Sequence, residues 1–467
     1  MLEGFKNLDK KKCYFSFNIN IYFLLFFINF ISYSIYAVMS QYNWLFIEIL
    51  ININFIIFFY LYKNKSNNFL SIKFNFSSYE LIFFVLIFFS LLYLIFYELN
   101  LPIFIDEIAY SRRAVRTPIF TSLIFLKYLD LEYLNNIPIK YVIHFVNFLQ
   151  VVFVFLMFLI LKRNKSYFIL FLFLFLNFIF RFILKDVIPH PPLNHISSTI
   201  FTSFFGLDHY IFRLSYFIPF VLFIYALHKL LSPKIENYSS IIFSLSVATF
   251  PFLLLSSVNP DHSLWGSLIF IYILIYLIIK DKINFKFILL IISIGILFRI
   301  SVFSAFALIG TCYLFDIYKK KFFFIEKTKL LIFDDKIFII ILLSLPLLLS
   351  SFMGTPSFEG IELGNMFYNF LEALRSKIII FAFLKQIPPW YYIFILFILF
   401  TNRRIEIIIF FIFNLFIFFS LNKDLWGFAK YTLEYLIPFM VAGHLIFFIF
   451  FIKRKKFLII NIINILI

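Results

Sequence analysis

Long unbroken apolar runs, separated by short clusters of Lys and Arg, set the pattern of this chain from end to end. Runs near 19–38, 44–62, 79–98, 139–161, 166–184, 210–231, 239–258, 264–279, 405–420 and 431–452 each approach the about 20 residues that carry an α-helix across a bilayer. The stretch from Lys286 to Lys319 is too long for one such helix, which would measure about 50 Å against a hydrocarbon core of about 30 Å. One span there would also put Lys319, Lys320, Lys321, Lys327 and Lys329 on the wrong side of the membrane. Two short helices meeting near Arg299 and Ser301 satisfy both constraints. A run near 337–352 then leads to a loop with Gly354, Pro356, Gly360 and Gly364, in which a surface helix is expected, and the chain re-enters after Pro388-Pro389-Trp390.

The basic clusters assign sides. Lys6, Lys10, Lys11 and Lys12, then Lys63 and Lys65, Lys162, Arg163 and Lys165, Lys234, Lys280 and Lys282, Arg403 and Arg404, and the final Lys453, Arg454, Lys455 and Lys456 all fall on the cytoplasmic side in this reading. The expected fold is all-α: a polytopic integral membrane protein of about 12–14 transmembrane helices with both termini cytoplasmic. Its expected location is a bacterial inner (plasma) membrane. The first run lacks a small-residue cleavage site and reads as a retained helix.

Composition removes the other classes. The 467 residues are 63% hydrophobic and 14% charged, against roughly a quarter charged in an ordinary soluble domain. Soluble, fibrous and disulfide-rich secreted folds are excluded. Lys and Arg outnumber Asp and Glu by 41 to 24, a net charge of +17, yet the excess sits between spans, so nucleic acid is not the expected partner. Cys13 lies in the basic tail and Cys312 deep in an apolar run, so no structural disulfide is expected. Phe (78) and Tyr (28) are so abundant, together with Ile, Asn and Lys, that aromatic residues carry little functional weight here.

Against this scarcity of charge, the loops opposite the N-terminus hold Asp106, Glu107, Arg112, Arg113, Arg116, His190, Asp208, His209, Asp261, His262, Lys423 and Lys430. After Pro102 a short surface helix would bring Asp106, Tyr110 and Arg113 onto one face, with Arg116 three residues on. The plainer account is that acids at a helix start and bases toward its end complement the helix dipole. External acids and bases suit transfer of a sugar from a lipid-linked phosphate. The leaving phosphate is an anion that Arg or Lys holds with charge-assisted hydrogen bonds, and the incoming hydroxyl needs a general base. A carboxylate also stabilises the oxocarbenium-like transition state of glycosyl transfer.

Several segments in order carry a resemblance: Asp106-Glu107-Ile108-Ala109-Tyr110, His190-Pro191-Pro192-Leu193 followed by Phe205-Gly206 and Arg213-Leu214-Ser215, Asp261 at the head of a span, Gly295 with Arg299, and Lys430-Tyr431 with Pro438. The chain resembles the GT-C superfamily of membrane glycosyltransferases, nearest to the protein O-mannosyltransferase and aminoarabinose (4-amino-4-deoxy-L-arabinose) transferase group, over roughly 79–450. The resemblance implies an inverting transfer from a polyprenyl-phosphate sugar, with Asp106 as the catalytic acid residue of the first external loop. It further implies a chain divided into two extra N-terminal helices (1–78), a catalytic module (79–456) and an apolar tail (457–467). External loops fall near 99–138, 185–209, 259–263, 353–389 and 421–430, with external juxtamembrane helices among them. Two departures stand out. The two N-terminal spans are additional, though as a pair they leave Asp106 external, and a helical hairpin separates Asp106 from His190, so that Arg116-Thr117-Pro118 competes with His190-Pro191-Pro192 for the donor phosphate.

Each candidate has an alternative. Asp106 is expected as the base and Glu107 as an orienting or metal-binding acid. His190 either touches substrate or marks a Pro-Pro turn, and Asp261 either functions or caps a helix. Arg299, a cation between apolar half-spans, either binds the donor phosphate or belongs to a buried ion pair. Arg113, Arg116, Lys430 and Tyr431 are further substrate candidates, although Lys and Tyr also concentrate at membrane interfaces. Arg181 and Arg213 are set aside as snorkelling residues. No metal signature is present, but Asp106, Glu107 and His190 would suit a divalent metal if they met. The expected partners are the polyprenyl-phosphate sugar donor, membrane lipids and an acceptor, glycan, lipid or protein, which the sequence does not identify. The competing classes are a polysaccharide polymerase or ligase and a lipid-linked glycan transporter or flippase.

Overall fold

The computed structural model describes residues 15–20, 71–76, 78–96, 209–258, 263–280, 285–320, 363–376, 389–421 and 428–452, with isolated positions between 53 and 60, 159 and 174, and 198 and 205. It divides into two compact units, one of residues 1–188 with 195–221, the other of 189–194 with 222–467. This division runs through a helix.

The described part of the first unit contains helix α1 (Ser78–Leu94) and the start of α2 (His209–Leu231). Phe88 meets Phe217 at 5.5 Å between ring centroids. The far side of α1 is open among the described residues: Leu81, Ile82, Val85, Leu86, Phe89 and Tyr93 are exposed, an apolar stripe with helical spacing. The unit also holds an antiparallel ribbon of β1 (Phe15–Asn20) and β2 (Ser71–Phe76). Both strands alternate strictly, Phe-Ser-Phe-Asn-Ile-Asn and Ser-Ile-Lys-Phe-Asn-Phe. The register pairs Phe15 with Phe76, Phe17 with Phe74 and Ile19 with Ile72, so apolar positions oppose apolar positions. Residues 19 and 20, expected to open the first span, therefore belong to the ribbon.

The second unit is helical throughout its described residues. The end of α2 turns into α3 (Asn237–Ala248), and α4 (Pro251–Val258) follows after a bend of 62°. The single run expected at 239–258 is thus broken. Pro251 cannot donate an amide proton to continue α3, but is well suited to the first turn of a new helix. Next come α5 (Ser263–Ile279), α6 (Phe285–Phe298), a 3₁₀ turn (Ile300–Ser304) and α7 (Ala305–Lys320). Where the sequence leads one to expect a surface helix, the chain forms α8 (Leu363–Arg375). Then follow α9 (Pro389–Leu396) and a 3₁₀ turn (Phe397–Phe400), α10 (Arg404–Leu421), α11 (Phe428–Tyr435) and α12 (Ile437–Ile452).

α5 is the centre of this unit. Nearly every residue along it is buried, and it packs against α4, α6, α11, α12 and the first 3₁₀ turn. Phe270 of α5 meets Phe410 of α10 at 5.8 Å, and Phe410 in turn meets Phe439 of α12 at 5.5 Å. Among the described residues, two helices are long and apolar enough to cross a membrane, His209–Leu231 and Thr432–Phe450, or three if the bent pair α3–α4 counts as one span. Cys312 is buried and forms no disulfide among the described residues.

Candidate functional site

α6 ends where the sequence leads one to expect a break. Arg299 takes up an extended backbone (φ −152°, ψ 125°) between α6 and the 3₁₀ turn. The chain turns sharply there, because a Cβ placed on Gly295 would lie 2.7 Å from the Cγ1 of Val302, whereas residues seven apart on a straight helix are separated by about 10 Å. Trp265 of α5 stacks on Phe298 at 4.9 Å and supports the turn from the other side.

The break aims Arg299 at Glu434 of α11. Its Nε donates to Oε1 at 2.9 Å and its Nη2 to Oε2 at 3.0 Å, a two-pronged ion pair. The Ser301 hydroxyl donates to the same Oε1. Glu434 is wholly buried, whereas Arg299 keeps 14% of its side chain accessible. Gly266 makes room for the carboxylate, since a Cβ there would stand 2.6 Å from Glu434 Oε1. Three separate stretches of sequence thus build one ionic site in an apolar bundle. Desolvating such a pair is costly, and the bidentate geometry with an added hydroxyl is what offsets that cost. The same three elements carry Ser267, Ser304 and Thr432, all buried, whose hydroxyls find no partner among the described residues.

Of the residues singled out in the sequence, the described structure includes Arg299 with its side chain, and it places Arg299 in the buried pair that was the alternative to donor phosphate. Lys430 and Tyr431 lie on α11, and Lys430 precedes Glu434 by four residues, the spacing of a shared helix face. Asp106, Glu107, Arg113, Arg116, His190 and Asp261 lie outside the described residues. Two residues escaped the sequence reading. Glu434 is a lone acid at the head of an apolar run, which is itself a signal of function in a membrane helix. Arg213, set aside as a snorkelling residue, is in fact 3% exposed. Among the described residues no three His, Cys, Asp or Glu side chains converge on a metal-sized site.

Other buried polar groups are local ties. His228 Nδ1 and the Ser240 hydroxyl are hydrogen-bonded across the turn between α2 and α3, and Ser244 donates to the Ser240 carbonyl at 2.8 Å. Glu406 is buried in the first turn of α10 beside Arg403 at 3.5 Å, where the helix dipole favours an acid.

Compared with protein-family models, curated proteins and solved structures, the chain matches none.

Proposed function

We propose that this chain is a polytopic membrane glycosyltransferase that moves a sugar from a polyprenyl-phosphate donor to an acceptor on the outer face, with inversion at the anomeric carbon. The observation that carries the reading is the Arg299 site: a guanidinium held at a helix break inside an apolar bundle, in part accessible, with its carboxylate partner sealed behind it. Charge in such surroundings is costly and usually functional, and the phosphate of a lipid-borne donor is an anion able to reach it. In this reading Glu434 orients Arg299 toward the donor, Asp106 accepts the acceptor proton and Glu107 orients the reacting groups. Arg113, Arg116, His190, Asp261, Lys430 and Tyr431 line the substrate path.

Transfer by purified wild-type and Asp106→Asn protein tests this reading, with a polyprenyl-phosphate sugar as donor and the acceptor found by mass spectrometry of glycolipids and glycans from a strain lacking the gene. A positioned base contributes about 10² to 10⁴ in rate, so the variant is expected to lose at least about 10². Near-normal transfer would take Asp106 out of the mechanism. One observation favours a second reading, a lipid-linked glycan flippase: a charged pair at a discontinuous helix is also how transporters build their sites. Movement of intact lipid-linked sugar across vesicles without chemical transfer would select it.

A further inference from the structure

Helix α8 presents three chemically different edges. One packs on α10: Ala373 is fully buried, and Phe370 meets the rings of Phe416 at 5.0 Å and Phe419 at 6.3 Å. A second edge is apolar and open, with Phe367 63% and Leu374 40% exposed, one above the other at a spacing of seven residues. The third is polar and open, formed by Tyr368, Glu372 and Arg375. Tyr368 donates to Glu372 at 2.7 Å, which lifts its phenol above the ordinary value.

What covers the apolar edge follows from α10. Ile405, Ile409, Ile412 and Phe413 are exposed along one stripe of that helix, and Phe416 and Phe419 prolong the stripe at helical spacing. α8 therefore rests on the very side of α10 that is otherwise open, and it does so near one end. A stripe of that kind on an apolar helix faces acyl chains, and a helix packed beside its Phe416–Phe419 end, with an open polar edge of its own, sits where acyl chains give way to headgroups.

We propose that α8 is a membrane-surface helix whose Phe367–Leu374 edge beds in the upper acyl layer of the bilayer while Arg375 meets lipid phosphates and Glu372 faces water. The Arg375 charge complements the headgroup phosphate, as interfacial helices require. The proposal rests on the chain being a membrane protein, but not on its being a glycosyltransferase.

The test uses the full chain carrying Cys13→Ser and Cys312→Ala, reconstituted in phosphatidylcholine–phosphatidylglycerol vesicles. An environment-sensitive fluorophore is attached at Phe367→Cys, Leu374→Cys, Tyr368→Cys or Glu372→Cys. Lipid brominated near the glycerol end should quench the first two severalfold more than the last two, and aqueous iodide should do the reverse. Equal iodide quenching at all four sites would overturn the proposal. So would shielding of Phe367→Cys from both quenchers together with cross-linking between copies, which would make the edge a protein interface. Release of the unsubstituted chain from vesicles by alkaline carbonate would instead remove the membrane reading itself.

Discussion

Three donors converge on the Glu434 carboxylate, two from Arg299 and one from Ser301, and this makes the pair's energetics unusually readable. Removing one member of a buried pair leaves an uncompensated charge and costs about 3–5 kcal/mol, whereas replacing both with apolar residues is often neutral. Arg299→Met and Glu434→Leu are each expected to lower the melting temperature in detergent strongly, and the double variant to recover most of the loss. If the two single losses simply add in the double variant, the pair is not coupled. Transfer activity separates structure from function: a double variant that is stable but inactive keeps Arg299 in the donor site, and a stable, active one confines the pair to holding helices together. Gly266→Ala probes the same spot from α5. Its Cβ would stand 2.6 Å from Glu434 Oε1, and overpacking of that kind costs about 1–3 kcal/mol. A melting temperature unchanged in Gly266→Ala would mean that the carboxylate has room to shift. The sequence pointed to Arg299 because a cation is conspicuous between apolar half-spans. It offered a buried ion pair as the alternative but not the partner, because Glu434 lies 135 residues away in the chain and only the fold brings the two together.

At the scale of elements, helix positions were legible wherever apolar length and basic punctuation agreed, as at His209–Leu231, Ser263–Ile279 and Arg404–Leu421. The break at Arg299 was legible too, from the length of the Lys286–Lys319 stretch and the lysines that follow it. The bend at Pro251 was not, because hydropathy averages over a proline whose effect is directional. The ribbon carried the clearest missed signal, since both strands alternate perfectly and yet adjoin apolar runs that dominated the reading. Close helix contacts were equally invisible, and they depend on particular glycines. A Cβ on Gly443 of α12 would overlap the carbonyl oxygen of Phe394 in α9. Gly443→Ala must push α9 away and is expected to destabilise the protein by about 1–3 kcal/mol. Gly310 of α7 is the counterpart, with nothing within 4 Å of such an atom. Gly310→Ala should raise stability by roughly 0.5–1 kcal/mol, because it removes backbone freedom from the unfolded chain at no steric cost. Thermal unfolding of the two variants side by side checks both, and a fall in both would show that α7 meets something on its open side.

For the whole molecule, the ribbon bears on a question otherwise answered by charge alone. β1 and β2 are hydrogen-bonded to one another, so the chain that leaves at Asn20 must be back beside its starting point by Ser71. If residues 21–70 cross the membrane, they do so an even number of times. The positive-inside rule gives the same answer independently, because Lys10, Lys11 and Lys12 before β1 and Lys63 and Lys65 before β2 fall on one side. α1 begins directly after β2, at Ser78, and therefore starts from that shared side. In the proposed topology its 17 residues, at about 1.5 Å each, lead toward the opposite face, on which Asp106 and Glu107 are expected. Single cysteines at Ser111 and Ser122, in a chain lacking Cys13 and Cys312, are accordingly expected to react with a membrane-impermeant thiol reagent added to intact cells. One at Ser66 should react only after the membrane is opened. The reverse pattern would invert the topology and move Asp106 away from any outer-face donor. Labelling of Ser66 and Ser111 together from outside would break the link between the ribbon and the direction of α1, and with it the argument that places an acidic loop across the bilayer from the N-terminus.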